Sequence, residues 1–389
     1  MPNDIFKKIK DAAEGAIDKV EHAAHDLGEK VLHAFERDKE VVVYPTYAYR
    51  KQGDAGTWVV RLRVWVNKAR RAPIPSRFIA AFTSEMGQLT EAEVETLRER
   101  ISAFVADDDS DETVSVSFDK DPEGRRYLLP NATDFNGLVM HELELPDASA
   151  QAIRAAQGAV NGWLDFTVTA REFEGKGRAR LVEPAGVSVI SDIDDTIKIT
   201  EVPAGTHIVL RNTFLRDYVP VEEMIGRYRA YGDDVMFHYV SGSPWQLHKL
   251  LGEFVRGAYP EGAFHMKDVR KNLLVPESWH DFVNFSKGDE ATLEQKKEQI
   301  SRIIAAFPDR KFILYGDSGE RDPDVFRFIK LKFPEQVIEI HIRDVVRESL
   351  KTKPDNRLID IGDGIQMDVI NADTLDADAV TRGVTRFKD

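Results

Sequence analysis

Hydrophobic positions change their period twice along the chain. Between residues 4 and 36, Ile5, Phe6, Ile9, Ala13, Ala16, Ile17, Val20, Ala24, Leu27, Val31 and Phe35 recur at spacings of three and four, which predicts an amphipathic helix. Its apolar face is thin and alanine-rich, and its polar face mixes Lys, Glu and Asp. Such a helix packs on the rest of the protein or on another helix; the alternative is a helix lying on a membrane surface, where small apolar residues make a weak anchor. From Val41 to Glu183 the period is two. The stretch TWVVRLRVWV puts Val60, Leu62, Val64 and Val66 on one face, and TVSVSF, LVMHELEL, WLDFTVTA and RARLVEP read as further strands. One helix interrupts them. It opens at Thr90 with Glu93 three residues on, a capping box, and carries Val94, Leu97, Ile101 and Phe104 on one face. The acidic run Asp107–Glu112 reads as a solvated loop.

From Gly186 short apolar strands alternate with helices: VSVIS, DDVMFHYVSGS, KFILYGDSG and VIEIHIRDV, separated by segments such as PWQLHKLLGEFV and LEQKKEQISRIIAAF. This order predicts an α/β domain with a parallel sheet covered on both faces. The expected organisation is therefore an N-terminal amphipathic helix over 1–38, a β-sandwich-like domain with an inserted helix over 39–184, and an α/β domain over 185–389. The tail holding DNRLIDIGDGIQMDVI either adds a strand or packs at the sheet edge.

Composition narrows the function classes. The formal net charge of −14 argues against a nucleic-acid partner. The absence of cysteine excludes disulfides, thiolate catalysis and zinc–thiolate sites. No apolar run approaches the roughly 20 residues of a membrane span, and Lys7, Lys8, Lys10 and Asp11 interrupt any leader-like core. The expectation is a soluble, cytoplasmic protein without a transmembrane segment, with peripheral membrane contact as the further possibility raised by the first helix.

Three strands of the α/β part end in chemically loaded residues: Asp192-Ile193-Asp194-Asp195-Thr196, Ser241-Gly242-Ser243-Pro244, and Gly316-Asp317-Ser318-Gly319-Glu320-Arg321-Asp322. Ligands bind beyond the carboxyl ends of parallel strands, so these ends are expected to meet. Asp192, Asp194, Asp317 and Asp322 together need a cation, because neighbouring carboxylates repel and are costly to desolvate. Oxygen ligands of this kind suit Mg²⁺, which is usually held by a few carboxylates and a substrate phosphate. Ser241 and the backbone at Gly242 are placed to bind phosphate oxygens. Ser243-Pro244 reads as an N-cap followed by proline at the first helical position, and a helix N-terminus favours an anion. Lys296 lies on the helix face that continues through Ile300, Ile303, Ile304 and Phe307. A lysine on that face completes the charge balance, whereas Lys297 points elsewhere.

These motifs, in this order, resemble those of haloacid dehalogenase-like phosphatases. Within that superfamily SDIDDTIK, YVSGSPWQL and FILYGDSGERDPDVF resemble the actin-patch-associated phosphatidate phosphatase family and its bacterial relatives, over residues 187–345. The resemblance implies a Rossmannoid parallel sheet and a Mg²⁺-dependent hydrolysis through an aspartyl-phosphate. Asp192 is then the nucleophile, and Asp194 protonates the leaving alkoxide and later deprotonates water. Thr196 helps hold the loop, and Ser241 and Lys296 stabilise the transferring phosphoryl group. Asp317 binds the metal with the Asp192 carboxylate and the Asp194 carbonyl, and Asp322 or Glu320 completes the metal site.

Other residues have plainer readings. Asp195 and Asp217 are loop acids and His238 is a core histidine. Trp245 either belongs to the core or lines the entrance and touches substrate. Arg343 or Asp344 supports the site. Lys198–Asp234 and Leu251–Thr292 are candidate caps, too short for a large cap domain, and Lys267–Asn272 is a basic patch or a solvated turn. The leading expectation is a phosphatidate phosphatase. The alternatives are a phosphatase for a soluble phosphomonoester or phosphoprotein, and a non-catalytic membrane-associated adaptor.

Overall fold

The computed structural model describes residues 39–68, 87–104, 107–159, 161–267, 290–345, 358–360 and 365–371. The expected helix at 4–36 and positions 268–272 of the basic patch lie outside them.

The period-two region forms one mainly antiparallel sheet: β1 (Lys39–Val43), β2 (Thr46–Lys51), β3 (Asp54–Lys68), β4 (Asp107–Asp108), β5 (Val114–Phe118), β6 (Tyr127–Leu128), β7 (Leu138–Pro146), β8 (Trp163–Ala170) and β9 (Phe173–Leu181). The order is β1-β3-β2-β9-β8-β5-β6, with β4 and β7 also on β3. Two layers were expected of a sandwich. The strands instead make a single hydrogen-bonded sheet that curls, bringing Leu143 and Leu145 of β7 and Val114 and Val116 of β5 into one core. The long β3 makes this possible, because it pairs β1 and β2 end to end along one edge and β7 along the other.

Among the described residues two helices belong to this unit. The first, α1 (Glu91–Ser102), starts at the capping box: Glu93 N donates to Thr90 Oγ1 at 3.2 Å and Thr90 N to Glu93 Oε2 at 2.9 Å. The second, α2 (Asp147–Gln157), ends at Gly158 in the left-handed region; its alanine-rich run was not read as a helix from the sequence. The acidic run is also drier than expected. Asp109 and Glu112 are buried against Lys39, Asp109 also meets Lys68, and Glu112 meets Arg171. Buried carboxylates need such partners.

The second unit holds β10 (Val187–Ser191), α3 (Thr206–Phe214), α4 (Glu222–Arg229), β11 (Met236–Pro244), α5 (His248–Ala258), β12 (Gly262–Lys267), α6 (Glu290–Ala305), β13 (Lys311–Asp317), α7 (Asp322–Lys332), β14 (Val337–Asp344), β15 (Leu358–Asp360) and β16 (Gln366–Asn371). Its sheet runs β12-β11-β10-β13-β14-β16-β15 and is parallel up to β16, with β15 antiparallel at the edge. The tail thus adds two strands. Strand alternation divides the sheet between two cores. Val189, Phe237, Tyr239, Ile313 and Tyr315 face α3, α4 and α5, and Ile190, Met236, Val240, Phe312 and Leu314 face α6 and α7.

Of the stretches considered as caps, Lys198–Asp234 and residues 251–267 belong to this frame, and residues 268–289 lie outside the described residues. Leu210, Phe214, Met224 and Tyr228 are buried against the sheet, as is Leu251 of α5, and β12 is a sheet strand. Apolar faces this complete are worth more buried on a sheet than lifted over a site.

Arg310 clasps the join between the units. Arg310 donates to the carbonyls of Glu183, Ala185 and Val187 at 2.6–2.8 Å and to Ser188 Oγ at 2.6 Å. Gly186 sits in this grip at φ +112°, where a Cβ would lie 3.0 Å from the guanidinium. Across the interface Tyr44 Oη donates to the Trp245 carbonyl, and Arg100 of α1 donates to the carbonyls of Thr213 and Arg216.

Candidate active site

The parallel register brings the ends of β10, β11 and β13 to one edge of the sheet. Asp192 follows β10, its N–H donating to the Tyr315 carbonyl at 2.9 Å. Asp317 ends β13, and Asp322 opens α7. All three are buried, and one carboxylate oxygen from each lies within 4.8 Å of the others.

Lys296 of α6 enters this group. Its Nζ donates to Asp192 Oδ1 at 2.8 Å, Asp322 Oδ1 at 2.8 Å and Glu320 Oε2 at 2.5 Å. Burial would lower its pKa, but the charges of Asp192, Asp322 and Glu320 outweigh that and hold it well above the ordinary lysine value. Lys297, one residue on, pairs with Glu294 instead.

Three carboxylates therefore share one ammonium, with Asp317 as a fourth acid beside them. Burial, reinforced by the other acids, pushes Asp192 and Asp317 well above the usual carboxylate range, and Glu320 is raised mainly by burial. Asp317 Oδ1 accepts from the N–H groups of Gly319 and Glu320 at 2.7 and 3.0 Å, and Asp322 Oδ2 from the N–H of Asp317 at 3.2 Å. That leaves Asp192 Oδ2 and Asp317 Oδ2 buried without a partner among the described residues. Unpaired carboxylate oxygens in a negative pocket fit a hard divalent cation.

Gly316 permits this packing. A Cβ there would lie 2.5 Å from Asp322 Oδ2 and 2.7 Å from the Phe326 ring. Gly316→Ala is expected to displace the Asp322 carboxylate and weaken divalent-ion binding at least tenfold, read by calorimetric titration; unchanged binding would detach Asp322 from the ion site.

Asp194 has different partners. Its Oδ1 accepts from Lys198 Nζ and Thr200 Oγ1, both at 2.8 Å; its Oδ2 accepts from Ser243 Oγ at 2.9 Å and Ser241 Oγ at 3.2 Å. Burial alone would raise this carboxyl, but the Lys198 charge and the hydrogen bonds bring it down to about 2. Its side chain is thus outside the carboxylate group around Lys296. Asp195, read as a loop acid, organises the loop: it sits at φ 56° and accepts from the N–H groups of Thr200, Glu201 and Val202. Its carbonyl accepts from Arg343, and Asp344 accepts from Ser318 Oγ. Thr196 is buried, with Oγ1 unpartnered among the described residues.

Two expectations are corrected. Ser243 does not cap a helix. β11 runs through Pro244, a 3₁₀ turn spans Trp245–Leu247, and α5 begins only at His248; the hydroxyl is committed to Asp194. Trp245 does not offer a face at the entrance. It is 2% exposed and meets Trp65 edge-on at 4.5 Å, because the curled sheet covers it. Gly242 lies where a Cβ would touch Thr292. His238 is buried edge-on against Tyr47. Sequence reasoning missed Lys198 and Thr200. Their signal was the alternation Lys198–Ile199–Thr200, buried–exposed–buried, directly after the motif.

Residues 187–344 match the family described as the phosphatidate phosphatase APP1 catalytic domain. Phosphatidate phosphatase APP1 of Saccharomyces cerevisiae is 36% identical over 169 residues, 42% of this chain and 27% of that protein. An uncharacterized protein of Schizosaccharomyces pombe is 30% identical over 171 residues, 42% of this chain and 26% of that one. The chain spans about a quarter of the length of the curated relatives it matches. Among solved structures, a sialyltransferase from Photobacterium damsela aligns at 10% identity and a TM-score of 0.21, over 48% of this chain and 31% of that one, too little to carry an argument. The segment is similar to the APP1 family, as its motifs implied.

Proposed function

We propose that this chain, APP1-like over residues 187–344, is a Mg²⁺-dependent phosphatidate phosphatase of the haloacid dehalogenase-like kind. In this reading residues 185–389 form the catalytic unit, the curled sheet braces it, and the protein meets the lipid surface peripherally. Among the described residues no helix is long and apolar enough to cross a membrane. The observation that carries the chemistry is the buried Asp192–Asp317–Asp322 group with two unpaired oxygens. The lipid substrate rests on the family likeness alone.

Asp192, Asp317 and Asp322 would hold the Mg²⁺, with the Asp194 carbonyl as a further ligand. Bound there, the ion would offset carboxylate charge and draw electron density from phosphate oxygens. Asp192 attacks phosphorus, and the bond to the glycerol oxygen breaks. That oxygen takes a proton from Asp194, leaving an aspartyl-phosphate. Asp194 then takes a proton from water, whose oxygen displaces Asp192 and releases phosphate. As held here Asp194 is ionised, which suits the second half. Serving first as acid requires that it lose donors. The Ser241 and Ser243 hydroxyls are the ones that phosphate oxygens would recruit, so substrate binding itself would raise the Asp194 pKa. Lys296 steadies the charge on the transferring group.

The test is phosphate release from phosphatidate in detergent micelles and from a water-soluble phosphomonoester, each with Mg²⁺ and with EDTA. Release from phosphatidate only with Mg²⁺ is the expected result. Release from the soluble ester alone would keep the chemistry and remove the lipid, and release from neither would leave an adaptor.

A further inference from the structure

The face of β3 opposite Val60, Leu62 and Val64 carries Arg61 and Arg63. Both line a cavity of about 430 Å³ between the curled sheet and the α/β unit, whose other wall includes His265 of β12 and Gln299 and Arg302 of α6. One acid, Glu142, lines it too, 3.5 Å from Arg61 Nε. In a chain of formal charge −14, three guanidiniums facing one carboxylate in a concave site is a local reversal of sign. The field reaches His265: burial and the charges of Arg61, Arg63 and Arg302 bring its pKa down to about 3, so the ring is neutral.

Two polar atoms there are unspent. His265 Nε2 and Gln299 Oε1 are buried with no partner among the described residues. A neutral ring protonated on Nε2 donates one hydrogen bond, and Gln299 Oε1 accepts one. A phosphate group supplies both complements, since its oxygens accept from the ring and from guanidiniums and its remaining O–H donates to Gln299. Each arginine also has a partner within the protein. Arg61 donates to Tyr47 Oη at 2.9 Å, Arg63 reaches the Met266 carbonyl at 3.3 Å, and Arg302 pairs with Glu298 at the surface.

We propose that this cavity is a second anion site, taking a phosphate-bearing group apart from the carboxylate site. It is wired to that site by α6, which carries Gln299 about one turn and Arg302 nearly two turns beyond Lys296. The Met266 carbonyl accepts from both Arg63 and Gln299, so a group that draws on either pulls on the helix holding Lys296. The phosphate is either free phosphate or the headgroup of a neighbouring lipid. The proposal does not depend on the catalytic reading.

The experiment is calorimetric titration of inorganic phosphate into the full chain in EDTA, where the carboxylate site lacks the cation that would draw an anion to it. A parallel arm sediments the protein with phosphatidylcholine vesicles with and without phosphatidate. Arg61→Gln with Arg63→Gln is expected to weaken binding at least tenfold, and Arg302→Gln, whose side chain is 55% exposed and whose loss does not threaten the fold, severalfold. Saturable phosphate binding at one per chain that follows these substitutions identifies free phosphate as the ligand. Phosphatidate-dependent sedimentation that follows them identifies a headgroup. Either supports the site. Absence of both, or binding unchanged in every variant, overturns it. Loss of Mg²⁺-dependent hydrolysis alone would sink only the catalytic reading.

Discussion

Asp192→Asn is expected to lower phosphate release by about 10⁴-fold or more, the scale seen when a covalent nucleophile is removed. The same substitution should make the metal-free protein more stable. Asp192 is buried among Asp322, Glu320 and Asp194, and its pKa is raised above the ordinary value. A raised carboxyl favours folding only while protonated. That stability is complete below the ordinary carboxylate value of about 4 and lost as pH rises through the raised one. In EDTA the native protein should therefore lose stability as pH climbs from about 4 toward neutrality, and the asparagine variant should lose less. Thermal melts in EDTA across that range, beside an activity assay in Mg²⁺, test both halves. An asparagine variant that retains activity would remove Asp192 from the chemistry. One that melts lower than the native protein at neutral pH would show that the buried charge is not strained.

Lys296→Met should do the reverse. It keeps the unbranched stem, one atom shorter, and deletes the ammonium that Asp192, Glu320 and Asp322 share. Breaking a buried charge pair by removing one partner costs about 3–5 kcal/mol. Part of that is expected to return with Mg²⁺, which would supply the missing positive charge. Denaturant midpoints with and without Mg²⁺ measure it. If the methionine variant matched the native protein in EDTA, the three contacts would be worth nothing to the fold. Hydrolysis should fall as well, so the variant separates the structural duty of the lysine from its catalytic one only when both readouts are taken.

The parallel α/β sheet and the meeting of three strand ends were legible because both follow from local patterns: short β-branched runs alternating with helical periodicity, and acids placed where strands stop. The choice between Lys296 and Lys297 was legible for the same reason, since a 3.6-residue period assigns one of two neighbours to the buried face. What escaped was set by tertiary partners. Ser243-Pro244 has the local form of a helix start, but the Ser243 hydroxyl is claimed by Asp194, a residue 49 positions away. Trp245 was open to two readings because nothing near it in sequence covers it; Trp65, on the other unit, does. Lys198 and Thr200 were passed over because a two-residue alternation in a loop carries little weight until the carboxylate between them is seen. Asp109 and Glu112 misled in the same way, their cations coming from Lys39, Lys68 and Arg171.

The Arg310 clasp bears on how the molecule comes apart. A peptide joining two bodies usually behaves as a leash, and each body then melts on its own schedule. Here three successive alternate carbonyls of the join are tied to a residue at the start of β13, so the leash is stitched to the sheet it leads into. Pulling the curled sheet away from its neighbour must first tear those stitches from the central strands. The chain should accordingly give a single calorimetric peak, and a protease should find no early cut between Glu183 and Val187.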